Sequence, residues 1–286
     1  MQPRLSVVIP AKNEGQAIGP VVARICELYP EAEILVIDDG STDDTAEISV
    51  KAGARVISHP YSMGNGAAIK HGARAAEGDV IVFMDGDGQH DPADIPRLLE
   101  QLDNGFAMAV GARQRGSQAS IFRGLANGLY NLLASYMTGH RIEDLTSGFR
   151  AVHSDKFREF LSLLPNGFSY PTTSTMAFFR AGYPVAYVPI TADKRVGKSH
   201  IRILQDGVRF LIIIFRVGTL YSPLKLFVPV AACLFLLATG WYGYTFTSQG
   251  RFTNMSALLY TGSVSVFLMG LISEQITALM YKDSKQ

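Results

Sequence analysis

Cysteine is nearly missing from this chain. Two occur among 286 residues, Cys26 in a helical pattern and Cys233 in a long apolar run, so neither a disulfide framework nor a CxxC metal motif is available. Both read as packing residues. No GxGxxG follows the first strand pattern, which disfavours a dinucleotide-dependent oxidoreductase. Basic runs are missing as well: 26 Lys plus Arg face 25 Asp plus Glu, a formal net charge of +1, and that balance argues against a nucleic-acid partner. The first residues pass from Pro3 and Arg4 straight into an apolar strand pattern, without the charged, apolar and small-residue succession of a signal peptide. The bulk of the chain is therefore expected to stay cytosolic.

Charge is absent from two further stretches, residues 226–246 and 252–273. Each reaches the roughly 20 residues that a helix needs to cross about 30 Å of hydrocarbon. Hydrophobic residues make up 48% of the chain, and the mean hydropathy is positive at +0.15; the excess sits in these two stretches. Two membrane-spanning helices are expected, with a buried helical hairpin as the alternative. Lys194, Arg195, Lys198, Arg202, Arg209, Arg216 and Lys225 precede the first stretch, and Lys282 and Lys285 follow the second. That bias places both ends on the cytoplasmic side.

Ahead of these stretches, short apolar runs alternate with helical periodicity. Residues 5–10, 34–37, 55–58, 80–84 and 107–111 read as strands, and a pattern through Ile18, Val21, Val22 and Ile25, with residues 45–52, 66–76 and 121–137, as helices. Runs that are apolar on both faces and alternate with helices imply an α/β fold with a mostly parallel sheet covered on each side. Ligands of such sheets bind beyond the C-terminal strand ends, where Asp38-Asp39-Gly40-Ser41 and Asp85-Gly86-Asp87-Gly88-Gln89 lie. The helix at 121–137 either packs on the sheet or lies partly in a bilayer interface. Between residues 201 and 221, Arg202, Arg209 and Arg216 stand among dense apolar residues, as suits a helix on a membrane surface.

In an extended stretch, alternate residues point the same way, so Asp85, Asp87 and Gln89 can offer three oxygens to one hard cation, Mg2+ or Mn2+. Such an ion would neutralise a diphosphate leaving group. The competing reading is an acidic turn in which Asp91 caps the chain before Pro92.

The order of motifs resembles family 2 glycosyltransferases with the GT-A (Rossmann-like) fold: Pro10-Ala11-Lys12-Asn13-Glu14 after strand one, Asp38 to Asp43 after strand two, Gly64-Asn65-Gly66 with Lys70, then the DxD segment. Arg113, Arg123, residues 143–150 (EDLTSGFR) and residues 194–199 (KRVGKS), with two C-terminal spans, are similar to the polyprenyl-phosphate sugar transferases within that family. The resemblance implies a catalytic domain over 1–200, a juxtamembrane amphipathic helix over 201–222 and two transmembrane helices over 223–286. It implies that Pro10, Ala11, Lys12, Glu14, Asp38, Asp39, Lys70, Asp85 and Gly86 hold the donor nucleotide, with an aspartate capping a helix as the bland alternative. Asp85, Asp87 and Gln89 would bind the metal. Arg113, Arg123, Arg195 and Lys198 would hold the acceptor and donor phosphates, with interfacial cations attracted to anionic lipid as the alternative; Ser199 would join the catalytic residues, and Asp144 would orient the acceptor or donor sugar. The family pattern often has lysine where this chain has His200, which leaves the role of His200 open.

The implied reaction moves one hexose from a UDP- or GDP-sugar to a polyprenyl phosphate such as undecaprenyl or dolichyl phosphate, with inversion, at the cytoplasmic face of a bacterial or archaeal plasma membrane. Membrane lipid is the further partner, and a homo-oligomer stays open. A processive polysaccharide synthase is disfavoured because QxxRW does not occur and Trp241 lies inside the first apolar stretch. A silent nucleotide-sugar sensor is disfavoured by the complete set of metal ligands. Glu274, near the end of the second stretch, reads as a snorkelling or paired carboxylate ahead of a lipid-handling role.

Overall fold

The computed structural model describes residues 4–113, 121–167, 170–191, 218–219 and 221–283. It divides into two compact units, Met1–Arg202 and Ile203–Gln286.

The first unit is built on a seven-stranded sheet: β1 (Leu5–Ala11), β2 (Glu33–Asp38), β3 (Arg55–Ser58), β4 (Val80–Phe83), β5 (Met108–Arg113), β6 (Arg150–His153) and β7 (Val185–Ile190). Their spatial order is β3-β2-β1-β4-β6-β5-β7. The first four run parallel, β5 and β7 are parallel to each other, and β6 is antiparallel to both β4 and β5. The mostly parallel sheet expected from the apolar runs is thus present, with one reversed strand inside it.

Strand periodicity sorts the two faces. Val7 and Ile9 join one core with Ile18, Val22 and Ile25 of α1 (Gly15–Leu28) and Ile95 and Leu98 of α4 (Ile95–Asp103). Burying each such aliphatic contributes about 1.5–3 kcal/mol relative to leaving it in water. Val8 faces the other way, toward α3 (Asn65–Ala75). There a Cβ on Gly72 would stand 2.3 Å from the Val8 side chain, so the missing side chain lets helix and sheet touch. The remaining helices of this unit are α2 (Thr45–Lys51), α5 (Ile121–Thr138), α6 (Ser154–Arg158) and α7 (Tyr170–Arg180). Sequence periodicity located α1, α2, α3 and α5 but did not reveal α4, α6, α7, β6 or β7.

The second unit contains α8 (Pro223–Gln249) and α9 (Asn254–Asp283). Both are long and apolar enough to cross a membrane. Gly270 of α9 abuts Phe227 of α8, and the Ser263 hydroxyl donates to the Ala231 carbonyl at 2.8 Å. Small residues and cross-helix hydrogen bonds of this kind hold helices together where no hydrophobic effect operates between them. Glu274 Oε2 accepts from the Leu224 N–H at 3.4 Å, which places an anion at the N-terminus of α8, where the helix dipole favours it. The surface-helix expectation over 201–222, with Arg202, Arg209 and Arg216, falls almost wholly outside the described residues.

Candidate active site

The turns leaving β1, β2 and β4 meet at one edge of the sheet. Ala11 pairs with Asp38, the Asp39 N–H donates to the Ala11 carbonyl at 2.9 Å, and the Met84 N–H donates to the Val8 carbonyl at 3.1 Å. Residues 10–14, 38–45 and 84–91 are therefore neighbours, as expected for the ligand edge of a parallel sheet.

On the β1–β2 side the turns are locked to each other. Asn13 adopts φ of 54°, a left-handed conformation that asparagine tolerates better than most residues. Its N–H donates to Ser41 Oγ at 2.9 Å, and its Oδ1 accepts from the Thr42 N–H at 2.8 Å. Asp43 accepts from the N–H groups of Gly15 and Thr45, while Thr45 Oγ1 accepts from the Glu14 N–H at 3.0 Å. These two side chains satisfy the first turns of α1 and α2. Pro10 and Glu14 are half-buried at this edge, Ala11 is buried and Lys12 is exposed. Asp38 is buried and accepts from the Ser41 N–H at 3.0 Å.

Asp39 is only 4% exposed. Its carboxylate accepts from His59 Nδ1 at 2.8 Å, Ser62 Oγ at 2.7 Å, the Met63 N–H at 2.7 Å and the Gly64 N–H at 2.9 Å. Burial alone would raise its pKa, but these donors more than offset that and hold it below the ordinary carboxylate value. Its acceptor capacity goes to the loop after β3.

Lys70 points along α3 to the chain segment before α7: Nζ donates to the Leu164 carbonyl at 3.1 Å and to Asn166 Oδ1. The Gly66 and Ala67 N–H groups donate to the Gly167 and Asn166 carbonyls. The glycines of the Gly64-Asn65-Gly66 motif permit this docking, because a Cβ on Gly66 would lie 2.0 Å from the Pro165 carbonyl oxygen. Gly66→Ala is accordingly expected to destabilise the chain by about 3 kcal/mol, read as a fall in Tm; an unchanged Tm would show that residues 164–167 do not lie against α3.

The β4 turn carries the acidic motif. Gly86 packs on the side chains of Ile18 and Ile9, which seats the turn on α1 and β1. Asp87 is buried, and its Oδ1 accepts from the Gln89 N–H at 3.2 Å. The Asp85 carboxylate lies against Gly148, where a Cβ would come within 2.7 Å of Oδ2. Burial raises the Asp85 pKa, and the charge of Asp87 adds to the rise against the opposing effects of His90, Arg113 and Arg150. The two carboxylates are close enough for the charge of one to act on the other, and carboxylate oxygens are the donors a hard divalent cation takes. Among the described residues no group of three His, Cys, Asp or Glu side chains could by itself hold a metal ion. Asp91 also performs the capping role, accepting from the Ala93 N–H at 2.9 Å.

The segment before β6 brings a second group to the same edge. Arg113 at the end of β5 donates through Nε to Asp144 Oδ2 at 2.7 Å and through Nη2 to Asp144 Oδ1 at 3.0 Å and Thr146 Oγ1 at 2.6 Å. Asp144 is 6% exposed and also accepts from the N–H groups of Thr146 and Ser147. Burial would raise its pKa, yet the Arg113 fork and the backbone donors leave it below the ordinary value.

Three residues at this edge carry signals that periodicity does not show. Arg150 is fully buried and donates to the Pro171 carbonyl, Ser174 Oγ and the Ser147 carbonyl, tying β6 to α7 directly behind Asp85 and Asp144. His90 stacks on Phe149 at 5.1 Å, and burial lowers its pKa. Thr146 completes the Arg113 contact. Arg150 belongs to the EDLTSGFR run, a sequence clue that a charge inside a short strand obscured. The side chain of Arg123, and Arg195, Lys198, Ser199 and His200, lie outside the described residues.

Comparison with known proteins bears on the family and the fold. The family model described as "Glycosyl transferase family 2" matches residues 6–161, and that described as "GtrB C-terminal hairpin" matches residues 222–279. Curated relatives include the undecaprenyl-phosphate 4-deoxy-4-formamido-L-arabinose transferases of Salmonella choleraesuis and Salmonella newport, each 39% identical over 158 residues, covering 52% of this chain and 48% of theirs. The chain thus spans about half the length of the curated relatives it matches. Among solved structures, glucosyl-3-phosphoglycerate synthase from Mycobacterium tuberculosis in complex with phosphoglyceric acid is similar with a TM-score of 0.62 at 26% identity, covering 76% of this chain and 79% of that one. The same enzyme with Mn2+, uridine diphosphate and glucosyl-3-phosphoglycerate gives 0.61 at 25% identity, covering 76% and 78%.

Proposed function

We propose a specific reaction for this chain, which belongs to glycosyl transferase family 2: transfer of one hexose from a UDP- or GDP-sugar to a polyprenyl phosphate, with inversion at the anomeric carbon. The observation that carries the reading is the approach of the Asp85–Gln89 turn to the Asp144–Arg150 segment, with Gly148 against Asp85 and Asp144 holding Arg113. Acidic groups suited to a cation and a fixed guanidinium suited to phosphate then serve one reaction centre.

A divalent ion, Mg2+ or Mn2+, held by Asp85, Asp87 and Gln89 would supply Lewis-acid neutralisation of the departing diphosphate. Pro10, Ala11, Lys12, Glu14 and Asp38 bind the nucleoside, and Asp39 serves it through the loop at 59–64. Arg113 meets a substrate phosphate with the face of its guanidinium that Asp144 leaves open, and Asp144 fixes the plane of that fork. Arg123, Arg195, Lys198 and Ser199 complete the phosphate site. A phosphate monoester is largely dianionic above its second pKa of about 6, so the attacking oxygen needs no general base. The protein's task is to bring two anions into line. The α8–α9 hairpin holds the chain in the membrane with both ends cytoplasmic.

The undecaprenyl-phosphate sugar transferases among the relatives support a lipid-phosphate acceptor. Incubating the full chain in detergent with a UDP- or GDP-sugar, Mg2+ or Mn2+ and a short polyprenyl phosphate is expected to yield a glycolipid whose anomeric configuration, read by NMR coupling constants, is opposite to the donor's. Retained configuration would overturn the single displacement, and no glycolipid with any donor would overturn the reaction.

A further inference from the structure

A nucleobase is flat and largely apolar on its faces, and a site for it usually offers a ring or another flat surface. The three loops beyond β1, β2 and β3, residues 12–14, 39–44 and 59–64, contain a single Phe, Tyr or Trp, which is Tyr61. It is 67% exposed, although His59 and Ser62, which flank it two positions before and one after, are tied down. His59 and Ser62 donate their side chains to the buried Asp39, and the Met63 and Gly64 N–H groups do the same. His59 Nε2 is in turn 3.1 Å from His71 Nδ1 on α3. A loop whose backbone is fixed by a buried carboxylate presents its outermost side chain in one place, and ordering that ring on binding then costs little entropy.

The position is the relevant one. Gly40, at φ of +66°, lies so close to this loop that a Cβ there would stand 2.7 Å from the Tyr61 carbonyl carbon and the Ser62 nitrogen. Tyr61 therefore rises beside the Asp38–Ser41 turn, on the side of the sheet edge assigned above to the nucleoside.

We infer that Tyr61 is the stacking platform for the base of the donor nucleotide, and that Asp39 serves the donor by shaping the loop that carries it. The inference rests on the nucleotide-sugar reading of this edge. Met63, 42% exposed on the same loop, supplies a polarizable neighbour for the same ring.

The test measures the affinity of the full-length chain for UDP and for GDP by calorimetry in the presence of Mn2+, together with Tm in the absence of nucleotide. Tyr61→Ala is expected to weaken whichever nucleotide the wild type binds by about ten-fold or more at unchanged Tm, while Tyr61→Phe restores the affinity because the ring is kept. A Tyr61→Ala variant that binds like wild type, or a Tyr61→Phe variant as weak as the alanine one, would overturn the platform and leave the transfer reaction standing. A wild-type chain that binds neither nucleotide would overturn the parent reading, and this one with it.

Discussion

Asp87→Ala is expected to lower kcat by about 10³-fold or more while the chain still folds and enters detergent micelles normally. The size follows from the work assigned to the site: neutralising a diphosphate leaving group is worth several kcal/mol in the transition state, and each 1.36 kcal/mol is a factor of ten in rate. Little packing is lost, because Asp87 is a short side chain in a turn whose seat on the sheet is made by Gly86 against Ile18 and Ile9. Steady-state glycolipid formation, read beside Tm, separates the two effects. A variant that kept a tenth or more of wild-type turnover would remove Asp87 from the reaction centre, and a large fall in Tm would point to scaffolding instead.

Breaking the Arg113–Asp144 pair is expected to cost nearly as much. Both partners lie at the mouth of the site and the carboxylate is almost fully buried. Removing the guanidinium leaves an uncompensated anion, which costs about 3–5 kcal/mol when such pairs are buried; the exposed part of Arg113 moderates this. Arg113→Ala and Asp144→Ala should each reduce kcat/KM by about 10²-fold or more, and the double variant should lose little beyond the worse single one, because the two residues act as a unit. Strictly additive losses would show that they contact substrate independently. Arg113→Lys keeps the charge but not the two-pronged geometry and should rescue only part of the activity.

Stability gives the pair a second signature. The Asp144 pKa is lower in the folded chain than its ordinary value. Its contribution to stability is therefore complete above the unfolded carboxylate pKa of about 3.9 and is lost as pH falls through the lower folded value. The Tm deficit of Asp144→Asn should accordingly be largest near neutrality and shrink toward pH 3.

Much of the first unit could be read along the chain because its strands are buried on both faces. Leu5–Ala11, Glu33–Asp38 and Val80–Phe83 are nearly continuous apolar runs, and only a sheet covered on each side accommodates such runs. The acidic and basic motifs follow those runs directly, so their place at one sheet edge was legible too. The reversed strand β6 was not. It is four residues long, begins with an arginine and is specified by its neighbours Phe83 and Val110. Helix α7 escaped for a related reason: its buried residues include the polar run Thr172, Thr173, Ser174 and Thr175, which hydropathy reads as surface, and Arg150 gives Ser174 and Thr175 a buried hydrogen-bond partner.

The sequence by itself determined the class of fold, the order of the ligand-edge motifs and the two apolar helices, since each is written in local periodicity and composition. Only the tertiary structure decided what each polar side chain faces. In the folded molecule Asp39 accepts from the loop at 59–64 and Lys70 donates to the segment at 164–166; Arg113 and Asp144, 31 positions apart, became one bidentate pair. The reason is physical: a hydrogen bond or ion pair depends on direction and distance in space, and residues far apart in sequence acquire those only when the sheet brings their strand ends together.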